Sequence, residues 1–129
     1  MKSVIRCAAF TIALSTPAQP ATAYTELNCA TVKVTIRNES GEDRSSRTLE
    51  YLDFSIDDAA KVVAFADGRQ LRIRRFDDSW ISAERDDIQY EFNRSDGTLT
   101  YAGSMVEGNT STTVVGSGRC VPRGAPSLR

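Results

Sequence analysis

The feature that most narrows what this chain can become is its period of two. Runs rich in β-branched and aromatic residues recur every eight to twelve positions, and turn-forming residues separate them. No segment sustains a helical period. "CATVKVTIRN" alternates cleanly, with Val32, Val34 and Ile36 on one face and Lys33, Thr35 and Arg37 on the other. "ESGEDRSSR" reads as a polar loop, and "TLEYLDFSI" as a second strand with a bulge between Tyr51 and Leu52. "VVAFA", "RQLRIRRF", "WISAER", "IQYEFNR", "TLTYAGSMV" and "TSTTVVGSGRC" follow, joined by short acidic or Gly-containing turns. Connections this short make sequential strands antiparallel neighbours. The pattern predicts an all-β fold, an eight-stranded antiparallel meander closed into a small barrel. A two-sheet β-sandwich is the alternative.

The first 23 residues stand apart from that pattern. Lys2 and Arg6 precede an apolar run over residues 7–14, and Ala21-Thr22-Ala23 fits a small-residue cleavage site. The expectation is a signal peptide over 1–23, one β domain over 24–120 and a flexible tail over 121–129. The apolar run is too short to span a bilayer. Arg6 and Asn28 precede Cys7 and Cys29, so neither cysteine fits a lipid-anchor site. The exported chain would be periplasmic or secreted.

Without the leader, 14 basic residues face 17 acidic ones, a net charge of about −3. That argues against nucleic acid or anionic membrane as a partner. Two cysteines remain, Cys29 and Cys120, and in an oxidising compartment they predict a disulfide. It would tie the first strand to the last, as barrel closure requires.

Much catalytic chemistry is excluded. The chain has no histidine, which removes Ser-His-Asp and Cys-His catalysis and the commonest transition-metal ligand. With both cysteines bridged, thiolate chemistry goes too. There is no glycine-rich phosphate loop, and no cofactor is expected. Asp57-Asp58, Asp77-Asp78 and Asp86-Asp87 are adjacent pairs. Neighbours in extended chain point opposite ways, so such a pair is not by itself a glycosidase couple; they read as solvated turn residues. An EF-hand frame on Gly97 puts Phe92 and Arg94 at ligand positions and so fails, and no metal site is assigned. "SDG" there reads as a hairpin turn, with Gly97 at positive φ.

"ADGR" allows a candidate binding face. A two-residue Asp67-Gly68 turn would place Val62, Ala64, Leu71 and Ile73 on the core face. Val63, Phe65, Arg72 and Arg74 would then point outward, an apolar patch with a basic rim suited to an acidic or aromatic partner. A one-residue change of register would reverse the assignment.

"YEFNRSDGTLTYAGS" followed by "VVGSGRC" resembles the C-terminal half of small exported proteobacterial proteins of unassigned function, over roughly residues 79–120. More loosely, the chain is similar to periplasmic inhibitors of C-type lysozyme. Size, the terminal cysteine and the Ser/Thr/Tyr-rich late strands carry that likeness. It implies a disulfide-tied barrel that acts by binding. The expectation is a non-catalytic protein that binds a protein or glycan of the envelope. A carboxylate glycan hydrolase and a structural or envelope-stress component are the alternatives.

Overall fold

The computed structural model describes residues 24–123, so the expected signal peptide and residues 124–129 lie outside what is described. Eight strands form one antiparallel sheet: β1 (Tyr24–Glu39), β2 (Glu42–Asp57), β3 (Val62–Phe65), β4 (Arg72–Phe76), β5 (Trp80–Arg85), β6 (Ile88–Asn93), β7 (Thr98–Glu107) and β8 (Thr110–Pro122). The spatial order is β3-β2-β1-β8-β7-β6-β5-β4. This is the meander order with β1 against β8, as the barrel reading requires. The wall is nearly closed. Its weakest seam lies between β3 and β4, joined by the single bridge Ala64–Gln70 and the Leu71 N to Val63 O bond.

Cys29 stands directly opposite Cys120 in the β1–β8 ladder and is bonded to it. Such a disulfide is consistent with an oxidising compartment. β8 continues to Pro122, two residues past the expected end of the domain. No helix among the described residues is long and apolar enough to cross a membrane.

Three local expectations are corrected. "ESGEDRSSR" is not a loop. Ser40 and Gly41 alone turn the chain, both at positive φ, as a tight twisted hairpin demands, and the flanking residues pair. The Tyr51–Leu52 bulge is absent, because β2 pairs with β1 in unbroken register from Asp57 to Glu42. The "ADGR" connection is a three-residue loop. Gly68 donates to Phe65 O and sits at φ +94°, and Phe65 N then bonds Arg69 O. Type I turns closed by a left-handed glycine add one residue to the loop.

That extra residue shifts the β3–β4 register by one and turns β3 over. Val63 is therefore fully buried opposite Ile56, and Phe65 packs against Phe54. Ala64 takes the other face. The proposed outward Val63/Phe65 patch does not exist. β4 keeps its expected orientation, with Leu71 inside and Arg72 and Arg74 exposed.

The core fills the lower part of the barrel. Phe54 lies at its centre, with ring centroids 4.9 Å from Phe92, 5.1 Å from Phe65 and 5.7 Å from Tyr90. Ile56, Val63, Leu71, Ile81, Ala83 and Leu99 fill the space around it. At the lower end Arg94 binds Asp58 at 2.8 Å and the Asp77 carbonyl at 3.1 Å, joining three turns.

Candidate functional site at the barrel mouth

The upper end of the barrel is built differently because its strands are unequal. β5 and β6 end at the Asp86-Asp87 turn, level with Gly103. β2, β1, β8 and β7 run on beyond that level to the Ser40-Gly41 and Gly108-Asn109 turns. The result is an open mouth backed by a four-stranded apron. Alternation carries the inward stripe of β1 from Cys29 through Thr31 and Lys33 to Thr35 and Arg37. The same stripe on β2 runs from Phe54 and Leu52 through Glu50 to Thr48, Ser46 and Arg44.

The mouth holds a cavity of about 230 Å³, bounded by Lys33, Glu50, Leu52, Phe65, Arg69, Asp86, Ile88, Tyr90, Tyr101 and Val114. Its floor is aromatic, with the Tyr90 and Tyr101 ring centroids 5.5 Å apart. Its wall is a polar network. The Tyr101 hydroxyl donates to Glu50 Oε1 at 2.8 Å, and Lys33 Nζ donates to Glu50 Oε2 at 3.2 Å. The buried Thr31 hydroxyl lies 3.0 Å from both the Tyr101 oxygen and the Glu50 carbonyl, and its one proton serves either. Burial, followed by its hydrogen bond to Glu50, pushes the Tyr101 hydroxyl up to about 12. Burial also raises Tyr90.

Gly116 makes room for this arrangement. It pairs directly with Tyr101, whose ring lies across it. A Cβ on Gly116 would stand 2.1 Å from Tyr101 Cζ. On the opposite rim Arg69 lies over the Phe65 ring, 4.7 Å from its centroid, and pairs with Asp67 at 2.7 Å and Asp86 at 4.0 Å. The backbone N–H of Arg69 and then its guanidinium hold the Asp67 carboxyl below the usual carboxylate range.

The residues expected to bind are scattered by the fold. Phe65 reaches the mouth from inside, whereas Val63 is in the core. Arg72 and Arg74 lie on the outer face of β4, and both bind Glu84; their guanidinium groups, Arg74 first, lower its pKa. Arg72 borders a broad open groove of about 710 Å³ over β4–β7, with charged residues of both signs. Nearby, Glu91 accepts from Trp80 Nε1 at 2.6 Å, Ser82 Oγ at 2.7 Å and Gln89 Nε2 at 2.7 Å, which fixes its orientation.

Among the described residues no three acidic or cysteine side chains converge as metal ligands. The acidic pairs are turn-builders. Asp77 Oδ1 accepts the N–H groups of Ser79 and Trp80, and Asp86 and Asp87 both adopt left-handed backbone.

Sequence reasoning missed Lys33, Glu50 and Tyr101 as a group. Lys33 and Glu50 were each one polar residue in an alternating run, and nothing local marks that stripe as internal. The apolar alternate stripe, Val32, Val34 and Ile36, drew the core face to the wrong side; the inward Leu27 and Cys29 two and more positions earlier set that stripe outside. Compared with protein-family models, curated proteins and solved structures, the chain matches none, so the site is read from its own chemistry.

Proposed function

We propose that this is an exported, non-catalytic binding barrel whose mouth receives a projecting group of a larger protein or glycan. The observation that carries the reading is a small socket set beneath a large polar apron. At about 230 Å³ the cavity falls below the range of roughly 300–1,000 Å³ usual for free small-molecule sites. It suits one side chain or one sugar unit. The apron above it presents Thr35, Arg37, Arg44, Ser46, Thr48 and Thr112 on the same inward face, enough surface to hold the body from which that group projects. Aromatic rings below and paired charges on both rims supply stacking and hydrogen bonding without reorganisation.

The chemistry favours binding over hydrolysis. Glu50 and Asp86 share the cavity wall, but Lys33 faces one and Arg69 the other. Each carboxyl that its surroundings shift, namely Asp67, Asp77, Glu84, Glu91 and Asp96, is shifted downward, which suits a charge partner rather than an acid catalyst.

The test immobilises the wild type beside a Glu50→Gln/Arg69→Gln variant and compares retention of envelope proteins and of purified envelope glycans. A partner retained by the wild type and lost by the variant supports the reading; equal retention by both overturns it. Adding the purified protein to a lysozyme turbidity assay tests the inhibitor role that the sequence resemblance implies.

A further inference from the structure

Above its contact with β3, β2 is paired on one side only. β3 covers Phe54–Asp57, and the Ala66 N–H bonds the Asp53 carbonyl, ending that ladder. From Leu52 up to Glu42 the second edge of β2 has no strand beside it among the described residues. Because the Asp53 carbonyl points to that side, alternation sends the N–H and C=O of Tyr51, Leu49, Arg47 and Ser45 the same way. Native sheets blunt such an edge with proline, a bulge, a short strand or charged side chains. This stretch is long and has no proline or bulge. Its charges, Glu42, Asp43, Arg44, Arg47 and Glu50, are of both signs and so repel a matching edge only in some registers. Its outward side chains include Leu49 at 58% and Tyr51 at 71% exposure.

We infer that this edge pairs antiparallel with the same edge of a second copy of the chain, about a two-fold axis at Leu49. The register follows from self-complementarity. With the axis at Leu49, Leu49 meets its symmetry mate, Arg47 meets the ring of Tyr51, and on the inward face Thr48 meets Glu50. Cross-strand pairs of these kinds are favourable. Moving the axis to Arg47 opposes two arginines, and moving it to Glu50 opposes two carboxylates. At Thr48 it sets Asp43 against Asp53. A centre at Ser45 also avoids like-charge opposition, setting Arg47 against Asp43, but it leaves Leu49 opposite Gly41, and a centre at Tyr51 needs Asp53, whose carbonyl Ala66 already holds. Leu49 is the centre that avoids like charges and also buries the exposed leucine against its mate.

Pairing over residues 46–52 joins the two barrels through one continuous sheet and exchanges about six backbone hydrogen bonds. It also extends an outer apolar surface. Leu49 lies beside Val32, which lies in line with Val34 and Val115. Each Glu50 at a mouth then gains a Thr48 hydroxyl from the second copy, so the dimer completes the open wall beside both sockets.

Sedimentation equilibrium of the disulfide-bonded protein tests this, and the expected result is a concentration-dependent monomer–dimer equilibrium. Leu49→Lys, at an exposed position, should raise the dissociation constant on the order of 100-fold with an unchanged circular dichroism spectrum. Leu49→Cys should cross-link to itself on mild oxidation, because directly opposed, hydrogen-bonded residues lie about 5.5 Å apart at Cα. Arg47→Cys should not, since its own mate lies roughly 14 Å away, but it should cross-link when mixed with Tyr51→Cys. A monomer at every concentration, a dimer indifferent to Leu49→Lys, or self-linking at position 47 in place of 49 would each overturn the proposal.

Discussion

Gly116→Ala is a one-carbon change whose effect should depend almost wholly on one ring. The added methyl would stand 2.1 Å from Tyr101 Cζ, 2.5 Å from Cε1 and 2.6 Å from Cε2. Carbon atoms settle at about 3.5–4.0 Å, so the ring must retreat by more than about 1 Å. That retreat breaks the 2.8 Å bond to Glu50 and the 3.0 Å contact with Thr31. Overpacking of this kind costs about 1–3 kcal/mol, and a hydrogen bond to a charged partner about 1.5–3 kcal/mol. Replacing a strand glycine returns about 0.4–1 kcal/mol by restricting the unfolded chain. The net expectation is a loss of about 2–5 kcal/mol.

A double-mutant cycle isolates the cause. Tyr101→Val removes every atom that the new methyl would strike. In that background Gly116→Ala should be neutral or stabilising by up to about 1 kcal/mol. Urea unfolding of the four proteins gives the coupling energy, expected at about 2–5 kcal/mol. If Gly116→Ala is equally damaging with and without the ring, the ring does not rest on this glycine, and the mouth network loses its structural basis.

Gly118→Ala should be worse than Gly116→Ala, because its Cβ meets the Ala30 carbonyl at 1.9 Å and a ladder carbonyl cannot swing aside; comparing the two unfolding midpoints checks this. Cys29→Ala/Cys120→Ala opens a loop with a sequence separation of 91 and should lose about 4–5 kcal/mol by urea unfolding on the loop-entropy account. Tyr101 titrates near 12 when folded and near 10 when unfolded, so the unfolded chain gives up its proton first. Stability that is complete below about pH 10 should therefore fall by about 2–3 kcal/mol as pH rises through about 12, and Tyr101→Phe should flatten that fall and remove the late step expected in an absorbance titration at 295 nm. Asp77 shifts the opposite way, held down first by Arg75 and then by the Ser79 N–H. Its contribution is present above about pH 4 and lost as pH drops, so Asp77→Asn should weaken the acid dependence of the melting temperature.

The strands and their order were legible because each depends on local information. Alternation marks a strand, and Gly or paired acids mark a turn. Once eight short-linked strands are placed, closure brings Cys29 to Cys120. What was not legible depended on counting single residues in turns. "ADGR" fits a two-residue and a three-residue loop equally well, since both want Gly68 at positive φ, yet the two put Val63 on opposite faces. A sequence pattern cannot choose between them; the packing of Phe65 against Phe54 and Tyr90 does. "ESGEDRSSR" failed for a different reason. Its composition is that of a loop because both its faces meet water, above the level where β5 and β6 end. Strand formation there rests on the backbone ladder to β1 rather than on burial.

The same reasoning explains why the site escaped notice, since one inward stripe changes its occupation along its length. On β1 it passes from Leu27 and Cys29 to Thr31, then Lys33, then Thr35 and Arg37; on β2 from Ile56 and Phe54 to Glu50, then Thr48 and Arg44. Below Thr31 that stripe faces three-dimensional packing, and every polar atom would need a partner. Above it the interior opens into the cavity and then, past the ends of β5 and β6, loses its opposite wall, so apolar residues gain little by facing inward. Thr31, at 1% exposure, marks the crossover, and it is polar because both its neighbours there, Tyr101 and Glu50, offer oxygen. The covalent clasp, Cys29–Cys120, lies one inward position below it. Stability is thereby concentrated beneath the level at which the barrel opens. The upper strands are left free to carry charges, a socket and an unpaired edge that a self-sufficient core would not tolerate.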